Sequence, residues 1–103
     1  MTLENIDFYI KENSWLAKLA ALKLRTDAVA IVLGKTIHLH HTTKADFLQN
    51  KKWLRHELCH VQQYRQHGFF GFIVKYLIES IRHGYDNNRF EIEARKAAEE
   101  SNL

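Results

Sequence analysis

The chain has 103 residues, 46% hydrophobic and 26% charged, with a formal net charge of +3. That length supports one domain, spanning residues 1–103, with a single modest core, and the balance excludes disordered, collagen-like and low-complexity classes. The basic residues are scattered, apart from a local group at Lys51, Lys52 and Arg55. A nucleic-acid binder presents a basic stripe with interleaved aromatics, so no nucleic-acid partner is expected.

The single cysteine, Cys59, excludes an intrachain disulfide and fits a reducing compartment. The segment from Met1 to Asn13 carries Glu4, Asp7, Lys11 and Glu12 and lacks the apolar stretch of a signal peptide. The longest apolar run, residues 69–81, is interrupted by Lys75 and Glu79 and is too short and too polar to span a bilayer. These features predict a cytoplasmic protein without a membrane span. Seven histidines in so short a chain raise the prior for a metal site, but they also raise the chance of accidental motifs, so spacing has to decide.

In chain order, Ile6, Tyr9, Ile10, Trp15, Leu16, Leu19, Ala20 and Leu22 recur as on an amphipathic helix over Ile6 to Leu24. A break near Asn13-Ser14 would let Ser14 cap its second piece. Residues 28–33 form a β-branched run, Gly34-Lys35 reads as a tight turn, and residues 36–40 alternate polar and apolar. The pair predicts a β-hairpin with Ile37 and Leu39 facing the core and His38 and His40 facing away.

Thr43 and Asp46 resemble a capping box. Phe47, Leu48, Trp53, Leu54, Leu58, Val61 and Tyr64 then keep helical spacing to about His67, with room for a break near Gln49-Asn50, until Gly68 stops the pattern. A further helix runs from about Phe69 to His83 and ends at Gly84. The last runs from about Arg89 to Ser101 with Asn88 as N-cap. The order predicts an α+β domain: an N-terminal helix, a small antiparallel hairpin, a central helix and two C-terminal helices.

The central helix carries His56-Glu57-Leu58-Cys59-His60, the pattern HExxH. Residues i and i+4 lie one turn apart on one face, so two imidazoles can grip one metal ion, and Zn2+ accepts nitrogen ligands in that arrangement. Glu57 is rotated about 100° from His56. It borders the metal and can take a proton from a metal-activated water that attacks a peptide bond. Chance alone gives this pentad in roughly one of thirty shuffled chains of this composition, and the helical context lowers that figure.

A catalytic zinc needs a third protein ligand and an open position. Phe90, Ala94, Ala97 and Ser101 mark one face of the last helix, and Glu91 lies next to it with Ala94 and Ala98 along its own side. The small residues would let this helix approach the HExxH helix closely. Glu91 is the best third candidate and Glu93, on the other flank, its rival. Both also suit a helix's first turn as plain acids.

HELCHVQQ followed by FEIEA resembles the gluzincin pattern, in which a glutamate on a later helix completes HExxH. The longer strings AIVLGKTIHLH, RHELCHVQQY and GYDNNRFEIEA are similar to small bacterial metallopeptidase-like domains of the DUF4157-like kind, over roughly residues 28–98. The resemblance implies zinc, a minimal zincin fold and peptidase activity on peptide or protein substrates. Many gluzincins carry an aspartate four residues after the ligand glutamate to support a zinc histidine. Arg95 stands there in this chain, so support for the histidines must come from elsewhere.

Tyr85, between the last two helices, is a candidate oxyanion stabiliser or a packed loop aromatic. Gln63 falls two turns after His56, as a site-facing amide or a solvated one. Cys59 is expected to be a buried, inert thiol. His38 and His40 could hold a second metal, although an exposed polar face is the plainer reading. The strand at residues 36–41 is expected to offer a free sheet edge to extended substrate. The Phe69, Phe70, Phe72, Ile73, Tyr76 and Leu77 cluster is expected to pack against the active helix. So short a chain lacks the usual second subdomain of a zincin cleft, which a homodimer or a partner chain could supply. The alternative function is a non-catalytic zinc-binding or protein-interaction module on the same scaffold, and retention of Glu57 argues against it.

Overall fold

A computed structural model describes residues 6–100. In chain order they form β1 (Tyr9–Lys11), α1 (Trp15–Leu24), β2 (Val29–Leu33), β3 (Thr36–His40), α2 (Lys44–Gln49), α3 (Lys51–His67), α4 (Phe69–His83) and α5 (Arg89–Glu99). The class is α+β, as the sequence predicts. The expected end of the last helix at Ser101 lies outside the described residues.

The first half of the expected N-terminal helix is instead a strand. Tyr9 and Lys11 are exposed while Ile10 is half-buried, and Ile6, Phe8 and Ile10 all pack against the main core. That is a period of two, and the helical reading of Ile6, Tyr9 and Ile10 missed it. β1 pairs in parallel with β3, Ile10 beside Ile37. Asn13, with φ at +51°, turns the chain out of the strand. Ser14 then accepts from the amide of Ala17 and caps α1, as expected.

β2 and β3 form the predicted antiparallel hairpin, with Val32 opposite Ile37 and Leu33 opposite Thr36. Gly34 turns it at a φ of +66°, where a side chain would be strained. The strand order is β1-β3-β2. β3 is therefore central, with Ile37 and Leu39 fully buried, and it has no free edge to offer. The outer strand on the side of the HExxH helix is β2, because β1 covers the other flank of β3.

Helices cover both faces of this sheet. Ala17 and Ala21 of α1 pack on Val29 and Ile31. On the opposite face Ile37 and Leu39 meet Phe47 of α2, Leu54, Leu58 and Val61 of α3, and Ala94 and Ala97 of α5. Alternation along β2 puts its residues on the two faces in turn. Thr43 caps α2 by accepting from the amide of Asp46 at 3.0 Å. Asn50 then ends α2 and starts α3, accepting from the amide of Trp53 at 3.1 Å, which makes the suspected break real.

α4 departs from expectation. Of its side chains only Phe72 is buried, packed with Tyr64 and Phe90. Phe72, Ile73 and Tyr76 of the expected cluster do pack beside Tyr64 of α3, while Phe69, Phe70 and Leu77 are exposed, as are Val74 and Ile81 further along the helix. α4 meets the body through Phe72, Ile73 and Tyr76, and much of its remaining apolar surface faces out.

Asn88 fixes where α5 starts. It is fully buried. Its Oδ1 accepts from the amide of Phe90 at 2.8 Å, and its Nδ2 donates to the carbonyl of Tyr76 and to Ser80 Oγ at 3.1 and 3.0 Å. One amide therefore caps α5 and ties it to α4, which sets Tyr76 beside Glu91. Asn88→Ala is expected to destabilise the domain by roughly 1–3 kcal/mol through the lost cap and the polar groups left unpaired. A lower urea midpoint with an unchanged slope would register this.

Candidate metal centre

α3 is an unusual core helix, because Glu57, His60 and Gln63 are buried among its apolar residues. Buried polar groups need partners, and the partners are on α5 and α4. The rings of His56 and His60 lie one turn apart with centroids 5.1 Å from each other. Their Nε2 atoms stand 3.1 and 3.2 Å from the same oxygen, Glu91 Oε1. The three ligand atoms all lie within 4.8 Å of one another.

These separations suit a metal ion. Ligands held about 2.0–2.1 Å from a tetrahedral zinc lie about 3.3 Å apart. The donor set, two imidazole nitrogens and one carboxylate oxygen, leaves a fourth position open. The hydrogen bonding makes the same point. His60 Nδ1 lies 2.8 Å from Gln63 Oε1, and an amide oxygen can only accept, so the ring proton sits on Nδ1. Nε2 then presents a lone pair toward a carboxylate oxygen. Two acceptors facing each other need a cation between them, either a proton or a metal.

The charges around His60 favour a proton in that role. Burial acts to lower the pKa of His60, but hydrogen bonding and charge from Glu91 outweigh it and hold the ring above its ordinary value. Burial likewise acts to raise Glu91, and the hydrogen bonds from His56 and His60 overcome it and keep the carboxyl far below the usual carboxylate range. A metal ion would compete with this proton and would be favoured as pH rises.

Gln63 is what fixes His60. It is fully buried, and its Nε2 donates to Glu93 Oε1 at 2.8 Å and to the carbonyl of Phe90 at 3.1 Å. Both partners are acceptors on α5, so the amide oxygen is forced toward His60. The support that Arg95 cannot give thus comes from the ligand helix itself, one turn after His60. Arg95 Nη2 instead donates to the carbonyl of Asp86. Gln63→Leu is expected to weaken metal binding roughly 10- to 100-fold, the usual cost of losing such a supporting group. A competition titration against a chromogenic chelator would read that loss.

Glu93, the rival ligand, turns toward Gln63 and Cys59, and it is Glu91 that meets the histidines. Cys59 is buried, and burial, then Glu93, push its thiol up to about 12, so it is not a ready thiolate. Glu57 is only 6% exposed. Burial is the largest influence and raises its carboxyl to about 7, against the pull of His60 and His56, with Glu91 adding to the rise and a Trp53 hydrogen bond opposing it. That puts a carboxyl able to exchange a proton near neutrality beside His56, His60 and Glu91.

Tyr76, unnoticed as a site residue in the sequence, donates its hydroxyl to Glu91 Oε2 at 2.5 Å. Burial and then Glu91 push its phenol far above the ordinary value, so it remains a donor. Nothing local in the apolar run of α4 marked it. Gln63 did carry a signal, its position one helical turn beyond His60. Tyr85 Oη lies 3.4 Å from Glu91 Oε1 at the mouth of the site, and burial first, then Glu91, raise it to about 12.

His38 Nδ1 lies 2.9 Å from Ser14 Oγ, tying β3 to the cap of α1. Among the described residues, the only convergent group of three metal-binding side chains is His56, His60 and Glu91, which leaves a second centre at His38 and His40 without support.

Two cavities, of about 540 and 350 Å³, share Ala30, His56, Glu57 and Tyr85. They are the two ends of one cleft along β2, with the metal centre at its middle. Its far wall on one side comes from α4, and α1 reaches its rim only through Leu24, so the N-terminal helix does not plug it. No described helix is long and apolar enough to cross a membrane.

No curated protein and no solved structure matches the chain. A family model described as the eCIS core domain matches residues 16–68, just over half of the chain, from α1 through the whole of the HExxH helix. Glu91 lies beyond that match, and α5 brings it back to the two histidines. The chain belongs to the eCIS core domain family, a DUF4157-like, zincin-like domain with a His-His-Glu cluster able to hold a metal ion.

Proposed function

We propose that this domain is a zinc-dependent hydrolase of peptide bonds. The observation that carries this reading is the meeting of His56 Nε2, His60 Nε2 and Glu91 Oε1 at one point, with the buried Glu57 carboxyl beside it. A structural metal site has no use for a base held near pKa 7 next to an open coordination position.

Zinc bound there would supply Lewis acidity and bring the pKa of a water toward neutrality. The protein's own groups do the rest. His56, His60 and Glu91 hold the ion, Gln63 sets the His60 ring and Tyr76 holds Glu91. Glu57 takes a proton from the attacking water as its oxygen bonds to the carbonyl carbon, then passes that proton to the nitrogen as the C–N bond breaks. The products are a carboxylic acid and an amine, so the atoms of water are fully used. Tyr85, whose hydroxyl donates toward Glu91 Oε1, is the group assigned to hydrogen-bond the oxyanion. The outer strand β2 supports the substrate backbone by strand addition.

Metal analysis of purified wild type, His60→Ala and Glu57→Gln, followed by cleavage of a peptide library, tests the reading. Zinc is expected in wild type and Glu57→Gln and absent from His60→Ala, with cleavage by wild type alone. A wild type that stays metal-free after zinc is supplied would overturn it, as would equal cleavage by Glu57→Gln.

A further inference from the structure

The two ends of the cleft differ in chemistry. On the α4 side, Tyr64, Phe72, Ile73 and Leu77 face Val32 of β2 across the cavity of about 350 Å³, with His60 and Glu91 at its floor. Leu24 and Leu77, 64% and 54% exposed, extend this lining onto the rim. On the α5 side the cavity of about 540 Å³ is mixed, with Asn50, Lys52, Arg95 and Glu99 beside Val29 and Trp53, and Lys52 pairs with Glu99 at 2.7 Å. Apolar surface of this extent beside an ionic centre is unusual on a small domain, and a ligand that covers it gains from its burial.

We propose that the cleft selects an extended peptide that places one large apolar side chain, aromatic or long aliphatic, in the α4-side cavity next to the metal centre, with polar residues along the α5 side. This rests on the hydrolase reading for its substrate class but not for its geometry. An extended chain added to β2 points successive side chains to opposite sides, so one residue enters the cavity while its neighbours point away. The cavity is large enough for an aromatic ring. A basic side chain there would have to leave water for a cavity lined mostly by apolar groups. An acidic one would have to give up its hydration among Phe72, Ile73 and Leu77. Removing one large apolar side chain from water favours such a peptide over its alanine counterpart by on the order of 10- to 100-fold.

The test uses the full chain as zinc-loaded Glu57→Gln, which should bind peptide without consuming it. The probes are fluorescein-labelled glycine- and serine-rich decapeptides that differ only in one central residue: Phe, Leu, Ala, Lys or Glu. Fluorescence anisotropy should give at least tenfold tighter binding for Phe and Leu than for Ala, Lys or Glu. Leu77→Lys, at an exposed position that folding does not need, should remove most of that preference. Affinities equal across the five peptides, or a preference unmoved by Leu77→Lys, would overturn the proposal. Cleavage of a peptide mixture by wild type separates it from the hydrolase reading. Apolar-selective binding without cleavage would keep the cleft assignment and remove the hydrolase. Cleavage with no apolar residue enriched beside the cut bond would do the reverse.

Discussion

Zinc-loaded Glu57→Gln is expected to hydrolyse peptides roughly 10²- to 10⁴-fold more slowly than wild type, the usual contribution of a positioned general base, while keeping its metal. The metal is kept because Glu57 borders His56, His60 and Glu91 without being one of the three converging groups. The same substitution has a second, opposite readout in the metal-free protein. Burial raises the Glu57 carboxyl from 4.5 to about 7, so the folded state holds this proton more tightly than the unfolded state does. An acid raised in this way costs stability as pH climbs from its unfolded pKa through its folded one. At one pKa unit per 1.36 kcal/mol, the cost above pH 7 approaches about 3 kcal/mol. Glutamine has no such charge, so metal-free Glu57→Gln should unfold at a higher temperature than metal-free wild type at pH 8, and the gap should close near pH 4.5. Thermal scans at the two pH values would show it. A variant equally stable at both would mean that Glu57 is better solvated than its 6% exposure indicates.

Metal removal should have the other large effect. Binding to the folded state alone stabilises by about 2.7 kcal/mol at a hundredfold excess over Kd. For a domain of this length that corresponds to a fall in Tm of about 10 °C or more when a chelator is added. His60→Ala should show the low Tm without chelator. If roughly 10–16 kcal/mol of zinc binding is shared among four ligands, one ligand is worth roughly 3 kcal/mol, or on the order of a hundredfold in Kd. His60→Ala also strands Gln63 Oε1 and takes one of several partners from Glu91, so its metal-free form should be less stable than metal-free wild type. A Tm unchanged by chelator in zinc-supplied wild type would remove the metal centre as an element of stability.

Much of this was written locally. The four-residue spacing of His56 and His60 on an apolar-periodic helix already places two imidazoles on one face, and Glu57 can only stand beside them. Ser14, Thr43, Asn50 and Asn88 cap helices through bonds to amides two or three residues away. The β2–β3 hairpin needed only alternation and a glycine at positive φ. These features follow from backbone geometry over a few residues, which a sequence displays directly.

What spans long separations had to be decided by tertiary contact. Ile6, Phe8 and Ile10 alternate as a strand, yet Ile6, Tyr9 and Ile10 also fit a helix. Pairing with β3, some 27 residues on, resolved the ambiguity and buried the flank of β3 that had seemed open to substrate. The apolar run of α4 looked like core, but only Phe72 is fully buried, with Ile73 and Tyr76 half-buried beside Tyr64 and Phe90. Gln63 reads equally as a site-facing or a solvated amide until α5, 27 and 30 residues later, offers it the Phe90 carbonyl and Glu93. Tyr76 gained its role only when Asn88 turned the chain back and set Glu91 against it. The sequence alone determined the chemistry available on α3, because ligand spacing is a property of one helix. The tertiary structure decided which acid joins the histidines, what orients them and which strand borders the cleft, because those depend on how separate elements bury their polar groups against one another.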